Sequence, residues 1–198
     1  VNIDLSRIFQ LFSIENVIDI FKYLLYETKL LFFSKDLPDL TTTILSFLFL
    51  LSPFNYQFQI VSVLSKDSYN YIETISPYIF GINETFKNDF FEKNKITLED
   101  ATICVIDIDK DSYFIIAPGG KIDQKEYPEM PKRFKKRLEE KISDLKKETE
   151  DYKGGIVRSS IAIKTNITDN SASMDIYKKI ENEKYQHIFY KFLIYILK

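Results

Sequence analysis

Asp107-Ile108-Asp109-Lys110-Asp111, directly after the apolar run Thr102–Ile106, is the local motif best equipped for chemistry. Two carboxylates one residue apart at a strand end can share phosphoryl transfer, the first as nucleophile and the second as acid–base group. Calcium is the other ligand such a run suggests. A calcium loop opening at Asp107 would need Gly where Ser112 stands and a bidentate Glu where Pro118 stands. The plainer reading is structural: a buried strand whose acidic end turns at Lys110-Asp111 into the next strand.

Other candidates are weaker. Glu27 closes an apolar helix ahead of a strand, so burial is expected, with backbone donors or a nearby cation to satisfy it. Gly119-Gly120-Lys121 lacks the spacing of a phosphate-binding loop. The basic run Lys132-Arg133 and Lys135-Lys136-Arg137 suits anionic lipid or RNA, yet Glu139, Glu140, Asp144 and Glu148 soon balance it. A solvated helix face is the default for such a pattern. His187, the only histidine, sits in an aromatic stretch and reads as a packed helix residue, which nearly excludes His-based triads and His-rich metal sites. A phosphatase of the haloacid dehalogenase type using Asp107 is a remote alternative, because that family expects Gly-Thr shortly after its Asp-x-Asp and Lys110-Asp111 stands there.

The elements that position these residues alternate between helix and strand. Ser13 stands as an N-cap with Glu15 in the first turn, and Ile14, Val17, Ile18, Phe21, Leu24 and Leu25 follow helical spacing. Lys29–Ser34 is too apolar for a half-exposed strand and reads as a buried parallel one. Asp36–Asp39 starts a second helix, roughly 40–51, that Pro53 ends. Strands are expected at Gln59–Leu64, Pro77–Ile82, Thr102–Ile106 and Tyr113–Ile116, with a short helix around Ser68–Ile75. This order implies an α/β fold: a mainly parallel central sheet with helices on both faces and a charged C-terminal helical appendage.

Composition agrees with a packed domain, at 45% apolar and 15% aromatic residues. A net charge of −2 supplies no global field for nucleic acid, and no nucleic-acid partner is expected. The single cysteine, Cys104, favours a reducing compartment. Residues 40–65 carry no charge, but Pro53 and the glutamines after it suit a buried helix better than a bilayer span. Past Pro118 the composition changes. A charged helix is expected from Pro131 to Tyr152, a flexible connector or insertion over 153–175, and a helical segment over 176–198. The chain opens at Val1 rather than Met and stops within an apolar run, which reads as a fragment of a longer protein.

The wording of these segments resembles the central module of a DENN domain. Leu24–Ser34 resembles its helix ending in Leu-Leu-x-Glu and the apolar strand closing on Ser, with Glu27 and Ser34 at those two positions. Leu50–Gln57 resembles its Leu-Leu-x-Pro-Phe-x-Trp-Gln signature, built on Pro53, with Tyr56 in place of Trp. Ser76–Ile82 resembles its Pro-Tyr/Phe-Ile-Ile-Gly-Val strand through Pro77 and Gly81, and Val105–Asp109 its Val-Val-Asp-Leu-Asp strand end. Pro128-Glu129-Met130-Pro131 resembles the proline-bracketed segment before the module's closing helix, whereas Ser62-Val63-Leu64-Ser65 lacks the prolines of Pro-Val-Leu-Pro.

The resemblance implies residues 1–152 as the central module and 176–198 as the start of a downstream helical module. It also implies an upstream longin-like lobe in the same parent chain and a Rab-family small GTPase as partner, with GDP release as the activity. A DENN-like scaffold without exchange activity, serving a trafficking or signalling complex, is the alternative. GTPase-contact candidates are Phe54, Asn55, Tyr56 and Gln57, and Asp107, Asp109 and Asp111. No catalytic residue, cofactor or metal is expected, and the expected location is cytoplasmic, peripheral on endomembranes.

Overall fold

The structure is a computed structural model that describes residues 3–94, 102–118, 130–162 and 169–196. A short 3₁₀ turn, Leu5–Arg7, leads into α1 (Ile8–Leu11), and both escaped the sequence reading. They are brief, but Leu5, Ile8 and Phe9 are fully buried and anchor the chain's start. Ser13 then caps α2 (Ile14–Leu25) as expected, its Oγ accepting the Asn16 N–H at 3.4 Å. The buried stripe of α2 includes Val17, Ile18, Phe21 and Leu24.

β1 (Lys29–Ser34) is buried at every position after Lys29 and occupies the middle of the sheet. α3 (Leu37–Leu50) begins three residues earlier than Leu40, because Asp36 accepts the Asp39 N–H at 2.8 Å and Pro38 fits the first turn. β2 (Gln59–Val61) follows, then a 3₁₀ turn (Lys66–Glu73), β3 (Tyr78–Asn83) and α4 (Lys87–Lys93). β4 (Ile103–Asp107) and β5 (Ser112–Ile116) form an antiparallel hairpin. The strand order is β2-β3-β1-β4-β5, with the first four parallel.

Strand periodicity divides the core in two. Leu30, Phe32, Ile79, Cys104 and Ile106 face one side, with α2, α3 and the two C-terminal helices. Leu31, Phe33, Tyr78, Phe80, Val105 and Ile103 face the other, where Tyr69 and Ile72 of the 3₁₀ turn and Phe90 of α4 cover them. Helices therefore lie on both faces. Each fully buried Phe or Leu contributes about 1.5–3 kcal/mol. Gly81 lets α3 and the chain after β2 approach the sheet, since a Cβ there would stand 2.0 Å from the Ser62 carbonyl oxygen.

Three expectations need correction. β2 ends at Val61, not Leu64, because it is an edge strand: Leu64 still donates to the Gly81 carbonyl at 2.7 Å, but the ladder has ended. α4 was not foreseen, having only Phe90 as a buried residue to signal it. The charged helix, α5 (Lys132–Ala162), passes Tyr152 by ten residues, and α6 (Asp169–Ile196) starts before 176. A formed helix gains a hydrogen bond with each added residue, which carries the backbone through Gly154-Gly155. The expected connector is thus helical at 153–162 and 169–175, and residues 163–168 lie outside the described residues. α5 docks through Leu138, Ile142 and Leu145, and α6 inserts Tyr185, Phe189, Phe192 and Leu193 into the same core. Gly119-Gly120-Lys121 and Pro128-Glu129 lie outside the described residues. Among the described residues no helix is long and apolar enough to cross a membrane.

Candidate functional site

The acidic motif sits at the carboxyl ends of the parallel strands, and each of its carboxylates is held by the chain itself. Asp107, the last residue of β4, places Oδ2 2.6 Å from Lys87 Nζ and 2.7 Å from Lys110 Nζ. Glu84, just after β3, lies 3.3 Å from Lys87 and 3.5 Å from Lys110, which closes a four-member charge cluster. Burial pushes the Asp107 carboxyl upward, but the ammonium groups of Lys110 and Lys87 outweigh it and hold it below the usual carboxylate range. Lys110 is raised in turn, chiefly by its hydrogen bond to Asp107.

Asp109 accepts from Ser34 Oγ at 2.8 Å and from the Lys35 N–H at 3.0 Å, which fixes the end of β1. Ser34 Oγ also accepts the Asp36 N–H, linking this turn to the start of α3. Asp111, with φ 45°, accepts the Ser13 N–H and the Asn16 side-chain amide. A nucleophilic Asp107 would have to shed two lysines. Among the described residues no group of three His, Cys, Asp or Glu side chains is placed to hold a metal ion. The arrangement makes an internally paired polar rim.

Phe54, Asn55, Tyr56 and Gln57 lie elsewhere. They precede the start of β2, whereas Asp107 ends β4, so the two candidate groups occupy opposite ends of a parallel sheet. Strands of five or six residues separate those ends by roughly 17–20 Å. The loop after α3, which contains Pro53, walls one side of a cleft of about 690 Å³. Leu24 and Leu25 of α2, Met130 and Phe134 around the start of α5, and Phe192 and Leu193 of α6 form its apolar lining. Leu24, Leu25, Glu27, Phe54–Gln57, Met130 and Pro131 are each notable in the sequence, but they lie far apart in the chain and nothing there gathers them around one cleft.

One residue at this cleft differs from its expectation. Glu27 is exposed at its mouth rather than buried, because the chain adopts φ 53° there to leave α2 for β1. The Tyr56 hydroxyl is buried without a hydrogen-bond partner among the described residues. Burial, and then Glu27, push its pKa up. Pro77 precedes β3, and Gly81 lies within it against Ile44 of α3.

The DENN (AEX-3) domain profile matches residues 1–111, from the first turns through the β4–β5 turn. The chain belongs to the DENN family. Two relatives are similar to part of the chain. A DENN domain-containing protein of Schizosaccharomyces pombe is 30% identical over 121 residues, covering 61% of this chain and 12% of that protein. The Elicitor of plant defense protein 1 of Fusarium odoratissimum is 27% identical over 111 residues, covering 56% of this chain and 11% of that protein. The matched chain thus spans about an eighth or a ninth of these relatives' lengths. Both candidate groups of the DENN chain fall inside the matched residues, as do Lys87 and Glu84, which sequence reasoning passed over. Lys87 opens the short helix α4 and Glu84 the 3₁₀ turn before it, both unrecognised in the sequence.

Proposed function

We propose that this chain is part of a DENN-domain guanine nucleotide exchange factor that binds Rab-type small GTPases and promotes GDP release. The DENN match over residues 1–111 carries the reading. DENN proteins are generally regulators rather than enzymes with covalent chemistry. Exchange asks for no nucleophile: affinity for the nucleotide-free GTPase shifts that protein toward an open nucleotide pocket. Internally paired aspartates at the one chemically suggestive motif fit such a role.

Of the two candidate groups, the rim around Asp109 and Asp111 is our choice for the GTPase-facing side. Its turn is fixed to the end of β1 and the start of α2, and exposed Lys35 and Lys110 supply rim charge of the kind that sets association rate. The upstream longin-like lobe of the parent chain is proposed to complete the grip. A second reading, a DENN-like scaffold without exchange activity, is favoured by Tyr56 at the family's Trp position and by Ser62-Val63-Leu64-Ser65 without its prolines.

A GDP-release assay of the full-length parent against a panel of Rab GTPases separates the readings. Acceleration by more than about tenfold with any Rab, some 1.4 kcal/mol in barrier, is the expected result. Capture of a nucleotide-free Rab without acceleration supports the scaffold. Neither capture nor acceleration refutes both.

A further inference from the structure

Three loops lead into the amino ends of β2, β3 and β1, and each puts forward a large exposed apolar side chain. Phe54, Ile75 and Tyr26 are 47%, 96% and 46% exposed. β2, β3 and β1 are consecutive neighbours in the sheet, so their starts span only about 10 Å laterally. Phe54 and Tyr26 also flank the apolar cleft. Exposed apolar residues scattered singly mean nothing; three on one end of a sheet, around an apolar cleft, form a patch.

The charge pattern at this end selects the partner. Residues 40–65 contain no charged side chain, so the loop carrying Phe54 can leave water without desolvating an ion. Cations also lie at this end: Lys22 lines the cleft, and Lys29, which starts β1, donates to the Thr74 carbonyl at 2.6 Å. α5 starts beside the cleft, where Met130, Pro131 and Phe134 line it, and its first two turns expose Lys132, Arg133, Lys136 and Arg137. Of these four, only Lys136 has a carboxylate partner among the described residues, Glu140 at 4.0 Å. Among the described residues, Glu27 and Glu73 are the opposing charges on the segments at this end, and the described cations outnumber them. Apolar tips flanked by cations are what the headgroup boundary of an anionic membrane accommodates. An acidic peptide would match the cations, but would leave Ile75, which projects from the body of the protein, unused.

We propose that the amino end of the parallel sheet docks on anionic membranes, inserting Phe54, Ile75 and Tyr26 while the basic start of α5 meets the lipid headgroups. The carboxyl-end rim, on the other side of the sheet, is then turned away from the bilayer. This inference stands apart from the exchange reading, since its readout involves no GTPase.

The chain has no tryptophan, so Phe54→Trp supplies a sole reporter. Vesicles of phosphatidylcholine, alone or with about 20% phosphatidylserine, are added to the full chain, with bromine-labelled acyl chains as quencher. Expected are a blue shift and quenching with the anionic vesicles only. Val63→Trp, two residues beyond the carboxyl end of β2, reports from the opposite end and should stay unquenched. Arg133→Glu with Arg137→Glu should lower partitioning more than about tenfold, with the helical circular dichroism retained. No vesicle binding overturns the proposal, as does binding with the position-54 tryptophan unquenched. Partitioning that ignores the charge reversal also overturns it and makes a protein partner the better occupant of the cleft.

Discussion

Asp111 holds Asn16 across 95 residues of sequence: the Asn16 side-chain amide donates to the Asp111 carbonyl oxygen at 2.7 Å and to its Oδ1 at 2.8 Å. The remaining oxygen, Oδ2, accepts the Ser13 N–H at 3.0 Å, so the β4–β5 turn clasps the start of α2. This tertiary clasp gives the third aspartate of the acidic motif a structural role.

Replacing Asp111 tests the clasp. Asp111→Ala removes both side-chain bonds and leaves φ 45° to a residue without the short polar side chain that eases it, at a cost of about 2 kcal/mol. Asp111→Asn keeps an acceptor and tolerates the left-handed backbone, so its cost should stay under about 1 kcal/mol. Urea unfolding followed by circular dichroism measures both. Equal losses for the two variants would refute the assignment.

The Asp107 cluster gives a pH dependence. Its folded pKa lies below the ordinary value of 3.8, so its contribution is present above that pH and disappears as pH falls through the folded pKa. Asp107→Asn should therefore lower stability at pH 7 by about 1–2 kcal/mol. The gap to the native chain should narrow once the pH falls below about 4. A gap that stays constant down to the acid transition would mean that the lysine pairs contribute nothing.

Gly81→Ala should be among the most damaging single changes. Its Cβ would meet backbone oxygen, which cannot swing aside as a side chain can, and either β3 or the segment around Ser62 must shift. A loss of about 3 kcal/mol or more is expected. Unfolding midpoints within experimental error of the native chain would contradict the close approach.

Cys104 should be inert in the folded protein. It is fully buried in β4, and burial raises its thiol pKa well above the usual value. Maleimide labelling should proceed only as fast as the sheet opens, and should become fast in denaturant. Rapid labelling of the native chain would show that β4 is not covered as described.

Local chemistry was what the sequence displayed most openly. Ser13 as a cap, the uninterrupted apolar run of β1 and the turn at Lys110-Asp111 each depend on neighbours only a few residues away, and all three lie where they were expected. β2 was overextended because an edge strand ends where its ladder ends, and Ser62 to Leu64 carry no mark of that. α4 offered only Phe90 as a buried residue, too little for a helical period. Glu27 looked buried because it borders two apolar segments, yet the left-handed turn at its own backbone points it outward. The cleft could not be read at all, since residues near 25, 55, 131 and 192 meet only after the helices pack. Its one advance sign was the uncharged stretch from 40 to 65 with aromatic residues at 54, 56 and 58.

The role proposed for this DENN chain is regulation of a Rab-type GTPase through contact. Its most direct test is GDP release from each Rab of a panel by the full-length parent, native and carrying Lys35→Glu, a charge reversal at the exposed rim beyond β1. Acceleration by the native parent is expected with at least one Rab, with a loss of about fivefold or more for Lys35→Glu at unchanged thermal stability. Absence of acceleration or binding with every Rab would contradict it.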